Sequence, residues 1–276
     1  MQTFNLNNAI ESNCDLGEGL AIECDSVAWV DINQDTIFFF KEKKLNTFKT
    51  QFKPSIIYSI KNDELVFGSD AGICCLDINL GEEKLLNSIN FNHNYQNYRS
   101  NDGGFCGGHQ LLSFMHRTDP ANNLGYVCLV TDKSFCLIDE SLHIPNSFIE
   151  IEPLKILISD SFKSQIWLYL LDETGNLVDK TLWAQLDTGI APDGGCLVGD
   201  FVLVALWDDA SIAVFDKSGR LLKKLLLPII RPTNCKFDAV RSQLWVTSAN
   251  EGLNKDELSL YPLSGNTFVY DLELGS

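Results

Sequence analysis

Hydrophobic residues in this chain fall in short runs and lack helical spacing. The runs are rich in Val, Ile, Phe, Tyr and Trp, and clusters of Asp, Asn, Gly and Ser separate them. β-Branched and aromatic residues favour strands, whereas small polar clusters favour turns. The pattern therefore predicts an all-β fold, with few segments that have the spacing of an amphipathic helix.

A longer pattern repeats along the chain. Each clear copy reads as a strand, a polar turn, a second strand, a turn with Gly or Lys, and a third strand. Clear copies begin at Trp29, Ile158 and Ala205, weaker ones at Ile73 and Ser134, and a last copy with a long insertion between its strands at Leu244. The repeat indicates one supersecondary unit used several times.

The spacing of the clear copies is roughly 45 residues, the size of a four-stranded propeller blade. Dividing the chain by that period gives about six blades. We therefore predict a six-bladed β-propeller with four antiparallel strands per blade, as one domain over residues 1–276. A large β-sandwich is the alternative, and the similarity of the three clear copies favours the propeller.

Charge and composition narrow the function classes. The formal net charge is −16, which disfavours nucleic acid and anionic membrane surfaces as partners and favours a cationic ligand. No apolar stretch approaches the length of a membrane span, and the first residues do not resemble a signal peptide, so we expect a cytoplasmic protein. Nine cysteines occur without CxxC pairs, which favours reduced core thiols over a disulfide or metal role.

Common catalytic motifs do not occur in the sequence. There is no GxSxG elbow, HExxH pair, phosphate-binding glycine loop, EF-hand loop or dinucleotide fingerprint. The histidines are irregularly spaced, at His93, His109, His116 and His143. Hydrolytic chemistry would therefore depend on carboxylates, amides and a metal ion.

Five short pieces occur in an order that resembles one protein family. They are residues 14–19 (CDLGEG), 99–103 (RSNDG), 144–147 (IPNS) followed by 158–161 (ISDS), 191–195 (APDGG), and 231–235 (RPTNC) followed by 245–249 (WVTSA). Each piece alone is an ordinary turn signal. Together they resemble the senescence marker protein/gluconolactonase (regucalcin-like) family, whose members are six-bladed propellers.

The resemblance implies a metal site. In that family a Glu, an Asn and an Asp from three of these motifs hold one divalent cation at the mouth of the channel, and they correspond to Glu18, Asn146 and Asp193. Two carboxylates and an amide are hard oxygen donors, which suit Ca²⁺, Mg²⁺, Mn²⁺ or Zn²⁺. Turn formation is the alternative role for Asn146 and Asp193, and a solvated carboxylate is the alternative for Glu18.

The resemblance also implies substrate contacts. Arg99 and Asn101 match positions that contact substrate oxygens, and Asp119 lies where the lid loop of the family supplies an acid. Asp102 is expected to support Arg99 or the water shell of the metal. A guanidinium and an amide suit an oxygenated ring because both donate hydrogen bonds.

Some residues depart from the family pattern. Residues 104–109 (GFCGGH) and 113–116 (SFMH) replace the family's usual lid sequence, so we expect Phe114 to narrow the pocket and His116 to add a titrating group. Ser147 stands where the family has glycine, so we expect the backbone there to avoid strained conformations.

Three functions follow from the resemblance. The first is a metal-dependent lactonase acting on a sugar-acid lactone or a related small lactone, with Asp193 taking the proton from water. The second is a non-catalytic calcium-binding propeller. The third is a phosphotriesterase, because a metal can polarise P=O as it does C=O.

Overall fold

The structure is a computed structural model that describes residues 3–89, 95–132 and 134–273, so that His93 lies outside the described residues. Its strands form six antiparallel sheets of four strands each. This confirms the predicted six-bladed β-propeller.

Five blades are built from consecutive strands. Blade 1 contains β2 (Gly17–Glu23), β3 (Ser26–Asp31), β4 (Thr36–Lys41) and β5 (Lys44–Lys49). Blade 2 contains β6 (Pro54–Lys61), β7 (Glu64–Ser69), β8 (Gly72–Asp77) and β9 (Glu83–Ser88). Blade 3 follows a 3₁₀ turn, η1 (Tyr95–Asn97), and contains β10 (Tyr98–Cys106), β11 (His109–His116), β12 (Tyr126–Val130) and β13 (Phe135–Asp139).

Blade 4 contains β14 (Pro145–Glu152), β15 (Lys155–Asp160), a 3₁₀ turn η2 (Ser161–Lys163), β16 (Gln165–Leu171) and β17 (Leu177–Gln185). Blade 5 contains β18 (Ala191–Val198), β19 (Phe201–Trp207), β20 (Ser211–Asp216) and β21 (Leu221–Leu226). The three clear sequence copies are therefore the second to fourth strands of blades 1, 4 and 5.

The sixth blade joins the two ends of the described chain. It contains β22 (Pro232–Asp238), β23 (Gln243–Ser248), β24 (Thr267–Glu273) and, beside β24, the first strand β1 (Thr3–Ile10). The insertion between β23 and β24 carries a short helix, α1 (Lys255–Leu260), with a capping box formed by Asn254 and Glu257. Phe4 stacks on Tyr270 at 4.4 Å between ring centroids, which adds packing to the closing strand pair.

The first strand of each consecutive blade, and β22 of blade 6, lie nearest the axis. Each of these inner strands contacts the next one around the ring, and β22 contacts β2. The hydrophobic core lies between neighbouring sheets, where Trp29, for example, is fully buried and stacks on Phe38 at 5.4 Å. Burial of such aromatic faces is possible only when neighbouring blades pack together.

All nine cysteines are free, and seven of them are buried. The buried thiols pack in the core as small hydrophobic side chains, as the sequence predicts, whereas Cys24 and Cys136 are exposed. No helix in the described part of the chain is both long and apolar enough to cross a bilayer.

A β-bulge interrupts the start of every inner strand. The register shifts lie at Glu18/Ala21, Pro54/Ile56, Ser100/Gly103, Asn146/Ile149, Pro192/Gly195 and Pro232/Asn234. A bulge leaves one residue out of the ladder and re-aims its side chain. The same deviation in six blades therefore gathers side chains from distant parts of the sequence around one end of the channel.

Candidate functional site

The bulges place four of the predicted site residues in the interior. Glu18, Asn101, Asn146 and Asp193 lie at the bulges of β2, β10, β14 and β18, and each is at most 7% exposed. Such burial of polar side chains is unusual unless they bind one another or a ligand. The solvated-turn alternative for Glu18 is therefore excluded by its burial.

Asp193 contacts both of the other predicted metal ligands. Asn146 Nδ2 donates to Asp193 Oδ1 at 2.5 Å, and the carboxyl of Asp193 lies near enough to that of Glu18 for their charges to interact. Burial, followed by the charge of Glu18, raises the pKa of Asp193 well above its ordinary value. Burial, followed by the charge of Asp102, raises the pKa of Glu18 to about 7. Two buried carboxylates that repel one another cannot both ionise cheaply, and a cation between them would remove this cost.

Asn234 is a further member of this cluster, and it was not selected from the sequence. Its Nδ2 donates to Glu18 Oε2 at 3.3 Å, while its Oδ1 is buried without a hydrogen-bond partner among the described residues. A Cβ on Gly194 would lie 2.3 Å from Cγ and Nδ2 of Asn234, so only glycine allows this approach. A buried amide oxygen without a partner is costly and is the kind of group that a ligand satisfies.

These donors fit a divalent cation. Two buried carboxylates and nearby amide oxygens are the ligand types of Ca²⁺ and similar hard ions. Asn146 and Asn234 both turn N–H groups toward the carboxylates, and rotation of each amide would present oxygen instead. No group of three or more His, Cys, Asp or Glu at metal-binding distance occurs in the described residues, so a cation here would need the amides.

Asp102 lies beside the cluster rather than against Arg99. Its carboxylate accepts from the backbone N–H of Gly103 at 2.8 Å, and burial raises its pKa. Its charge also raises the pKa of Glu18. Asp102 therefore acts electrostatically on the predicted ligands.

Ser147 differs from the sequence expectation. We expected an unstrained backbone at this position, but the φ of Ser147 is 57°, in the left-handed region. The expectation was therefore wrong. The hydroxyl of Ser147 donates to the carbonyl oxygen of Asp193 and accepts from Ser159 Oγ at 3.1 Å. These bonds offset a strain on the order of 1–2 kcal/mol and tie the bulge of β14 to that of β18.

Arg99 and Asn101, the predicted substrate-binding residues, lie together, and their substrate contacts stay a prediction. Arg99 Nη1 donates to Asn101 Oδ1 at 2.8 Å and to the carbonyl of Ser100 at 3.0 Å. Asn101 Nδ2 donates to the carbonyl of Pro145 in the next blade at 3.0 Å. Burial lowers the pKa of Arg99, and the nearby charges of Glu251 and Asp70 oppose that shift. A partly desolvated guanidinium of this kind is suited to bind a substrate oxygen.

The lid residues lie elsewhere. The carboxylate of Asp119 accepts from Asn122 Nδ2 at 3.0 Å, and its backbone N–H donates to His116 Nδ1 at 3.0 Å, so it stabilises its own loop. Its role as a substrate-binding acid stays a prediction. Phe114 does not narrow the cavity, since its side chain packs inward on Tyr126 at 5.3 Å between centroids. Met115, the next residue, lines the cavity instead.

A cavity of about 430 Å³ opens at this site, within the size range of small-molecule pockets. It is lined by Leu16, Arg99, Asn101, Met115, Ile144, Asn146, Ser161, Phe162, Ser164, Gly189, Ala191, Asp193, Trp207 and Glu251. Trp207 and Glu251 are wall residues that no sequence pattern marked, because they lie at or after the end of the second strand of blades 5 and 6 and only the fold brings these ends together.

Comparisons with known proteins agree with this architecture. The chain is similar to chicken (Gallus gallus) regucalcin, with 32% identity over 80 residues, which are 28% of this chain and only 27% of the length of that relative. Its fold is similar to that of a calcium-binding protein, regucalcin, of Agrobacterium tumefaciens, with a TM-score of 0.87 and 20% identity over 96% of this chain and 94% of the other.

A gluconolactonase of Xanthomonas campestris has a similar fold, with a TM-score of 0.70 and 16% identity over 99% of this chain and 96% of the other. At these identities the solved structures show the fold alone. The profile described as "SMP-30/Gluconolactonase/LRE-like region" matches residues 16–250, which include blades 1 to 5 and two of the four strands of blade 6. The chain therefore belongs to the SMP-30/gluconolactonase/LRE-like family.

Proposed function

We propose that this protein is a divalent-metal-dependent hydrolase that opens the ring of a lactone. The observation that supports it most directly is the meeting of Glu18, Asn146 and Asp193 beside the unsatisfied oxygen of Asn234. This cluster borders a cavity of small-molecule size. Family membership and the fold shared with a gluconolactonase support the reaction class.

Glu18, Asn146 and Asp193 would hold the cation, and Asn234 offers a further oxygen. When bound, a divalent cation supplies a Lewis acid that polarises the ester carbonyl. The hard oxygen donors favour Ca²⁺, Mg²⁺ or Mn²⁺ over Zn²⁺, and the regucalcin of Agrobacterium tumefaciens is described as calcium-binding.

The protein residues carry the proton and orient the ring. Asp193 is suited to take a proton from the attacking water, because its carboxylate lines the cavity beside the residues that would hold the cation. Water oxygen then bonds to the carbonyl carbon, the ring C–O bond breaks, and the ring oxygen leaves as a hydroxyl after gaining a proton. Arg99 and Asn101 would hold the substrate oxygens by hydrogen bonds.

Hydrolysis measured by proton release tests the proposal. Wild-type protein with Ca²⁺ should open a six-membered lactone, and chelation, Glu18→Gln or Asp193→Ala should each abolish turnover. Glu152→Gln and Asp200→Asn are matched controls, because these carboxylates lie on the surface with side chains 53% and 89% exposed. Full activity after chelation or in Asp193→Ala would remove the mechanism.

A calcium-binding protein without turnover is the second candidate, favoured by the fold shared with the Agrobacterium regucalcin. It predicts calorimetric cation binding that Glu18→Gln abolishes, with no hydrolysis across lactones and phosphotriesters. For either function we propose a cytoplasmic location, which the nine free cysteines support, since reducing compartments keep thiols unpaired.

A further inference from the structure

The wall of the cavity is largely apolar. Six of its side chains are hydrophobic and come from blades 1, 3, 4 and 5: Leu16, Met115, Ile144, Phe162, Ala191 and Trp207. Apolar walls bind ligands by removing hydrocarbon surface from water. They offer no partners to hydroxyl groups.

Two aromatic residues of this wall are held by defined contacts. Trp207 carries the guanidinium of Arg231 at 4.9 Å from its ring, and Arg231 in turn binds Asp208 Oδ1 at 2.5 Å. Phe162 on η2 stacks on His143 at 4.9 Å, yet remains 44% exposed at the cavity. An exposed phenyl ring on a cavity wall leaves apolar surface that a substrate can cover.

Several polar side chains that line the cavity already form hydrogen bonds within the protein. One N–H of Asn101 is donated to the carbonyl of Pro145, and Asn146 Nδ2 donates to Asp193 and Ser161. The hydroxyl of Ser161 donates to the carbonyl of Pro192 at 2.7 Å. A sugar lactone carries a hydroxyl on most ring carbons, and each one buried without a partner weakens binding. The cavity therefore offers a polyhydroxylated ring few donors beyond Arg99 and the remaining N–H of Asn101.

The charges of the cavity favour a neutral substrate. Glu251 adds a carboxylate to those of Glu18 and Asp193, and Arg99 is the basic residue among the lining side chains. Arg99 and the divalent cation of the proposed function together balance these carboxylates, so the cavity has no excess positive charge that would attract a phosphate or carboxylate on the substrate.

We propose that the substrate is a neutral lactone with an alkyl or aryl substituent, which Phe162, Trp207 and Met115 contact. This rests on the proposed lactonase function and departs from the sugar-acid lactone that the family resemblance suggested. The lactone carbonyl would lie toward Asp193 and Asn146, with the substituent along the apolar wall.

The test compares lactones of one ring size with Ca²⁺ present: δ-valerolactone, δ-octalactone and glucono-δ-lactone. We expect kcat/KM to rise about threefold per buried methylene and to be lowest for the sugar lactone. Phe162→Ala should lower kcat/KM for δ-octalactone by roughly tenfold and leave δ-valerolactone within about twofold. Phe105→Ala is the matched control, because Phe105 is 43% exposed and does not line the cavity.

A preference for glucono-δ-lactone over δ-octalactone, or an equal effect of Phe162→Ala on both alkyl substrates, would overturn the inference while leaving lactonase activity intact. If no lactone is hydrolysed, the proposed function fails. Calorimetric binding of the corresponding lactams, which are not hydrolysed, then tests whether the cavity prefers an alkyl or a sugar ring. Tighter binding of the alkyl lactam, lost in Phe162→Ala, supports the apolar site. Equal or tighter binding of the sugar lactam refutes it.

Discussion

Asn146 and Asp193 lie in direct contact across the boundary between blades 4 and 5, with Asn146 Nδ2 2.5 Å from Asp193 Oδ1, although they are 47 positions apart in the chain. The hydroxyl of Ser147 joins the same two blades through the carbonyl of Asp193. The contact exists because both residues occupy the bulge of an inner strand. Replacing either side chain should therefore affect the shared site before it affects the blades.

Asp193→Asn should separate cation binding from folding. The change keeps the size of the side chain and an oxygen for Asn146, but it removes a charged ligand and the proton acceptor. We expect calorimetric Ca²⁺ affinity to fall by at least about hundredfold, with the fold retained by circular dichroism. Unchanged affinity would show that Asp193 is not a ligand.

The raised pKa of Glu18 predicts that the stability of the protein depends on pH when no cation is added. The pKa of Glu18 is 4.5 in the unfolded chain and about 7 in the folded protein, so ionisation is penalised on folding. The penalty is absent below pH 4.5, grows between pH 4.5 and 7, and is complete above pH 7, where it reaches about 3 kcal/mol.

Urea unfolding of wild type and Glu18→Gln at pH 5 and pH 8 measures this penalty. The variant should exceed wild type in free energy of unfolding at pH 8 and differ little at pH 5. Ca²⁺ should stabilise wild type most at pH 8 and should not stabilise the variant. If the free energies of unfolding of the two proteins differ by the same amount at pH 5 and pH 8, the raised pKa of Glu18 is contradicted.

Gly194→Ala should disturb the cluster through Asn234. The new methyl group would overlap the Asn234 amide, which would have to move away from Glu18. We expect a loss of roughly 1–3 kcal/mol in the free energy of unfolding, together with weaker Ca²⁺ binding. Asn234→Ala is the comparison: if Asn234 supplies a cation ligand, it should weaken Ca²⁺ binding as Gly194→Ala does.

Arg99→Lys tests substrate positioning. Arg99 reaches Asn101 and Ser100 through Nη1 alone, whereas the single Nζ of lysine would be used by these two contacts and would leave fewer donors for a substrate oxygen. KM for a hydrolysed lactone should rise about fivefold to tenfold, with little change in Ca²⁺ affinity. A loss of Ca²⁺ binding would instead place Arg99 in the support of the metal site.

The blades could be predicted because the strands and turns of each blade follow one another in the sequence. The copy that begins at Trp29 contains the second to fourth strands of blade 1, and its alternating residues and turn clusters mark each boundary. Ring closure could not be predicted in this way. The pairing of Thr3 with Glu273 joins opposite ends of the sequence, and nothing in the pattern of either strand specifies the other.

The site was predicted only where a motif carried it. Glu18, Asn146 and Asp193 each stand in a motif of the family resemblance, and the structure brings them together. Asn234 stands in one of the quoted motifs, RPTNC, and its position two residues after a Pro that begins an inner strand was the available signal. The strain at Ser147 was missed because its compensating bonds come from Asp193 and Ser159, which are distant in sequence.

The contact between Asn234 and Glu18 spans the junction of the last blade with the first, where Thr233 also donates to the carbonyl of Gly17. A cation held there would stabilise the closed ring of blades, since separating blade 6 from blade 1 would pull the ligands of the ion apart. Ion occupancy and resistance of the terminal strands to proteases should consequently rise and fall together, so that a digest with and without Ca²⁺ would report on the site without any substrate.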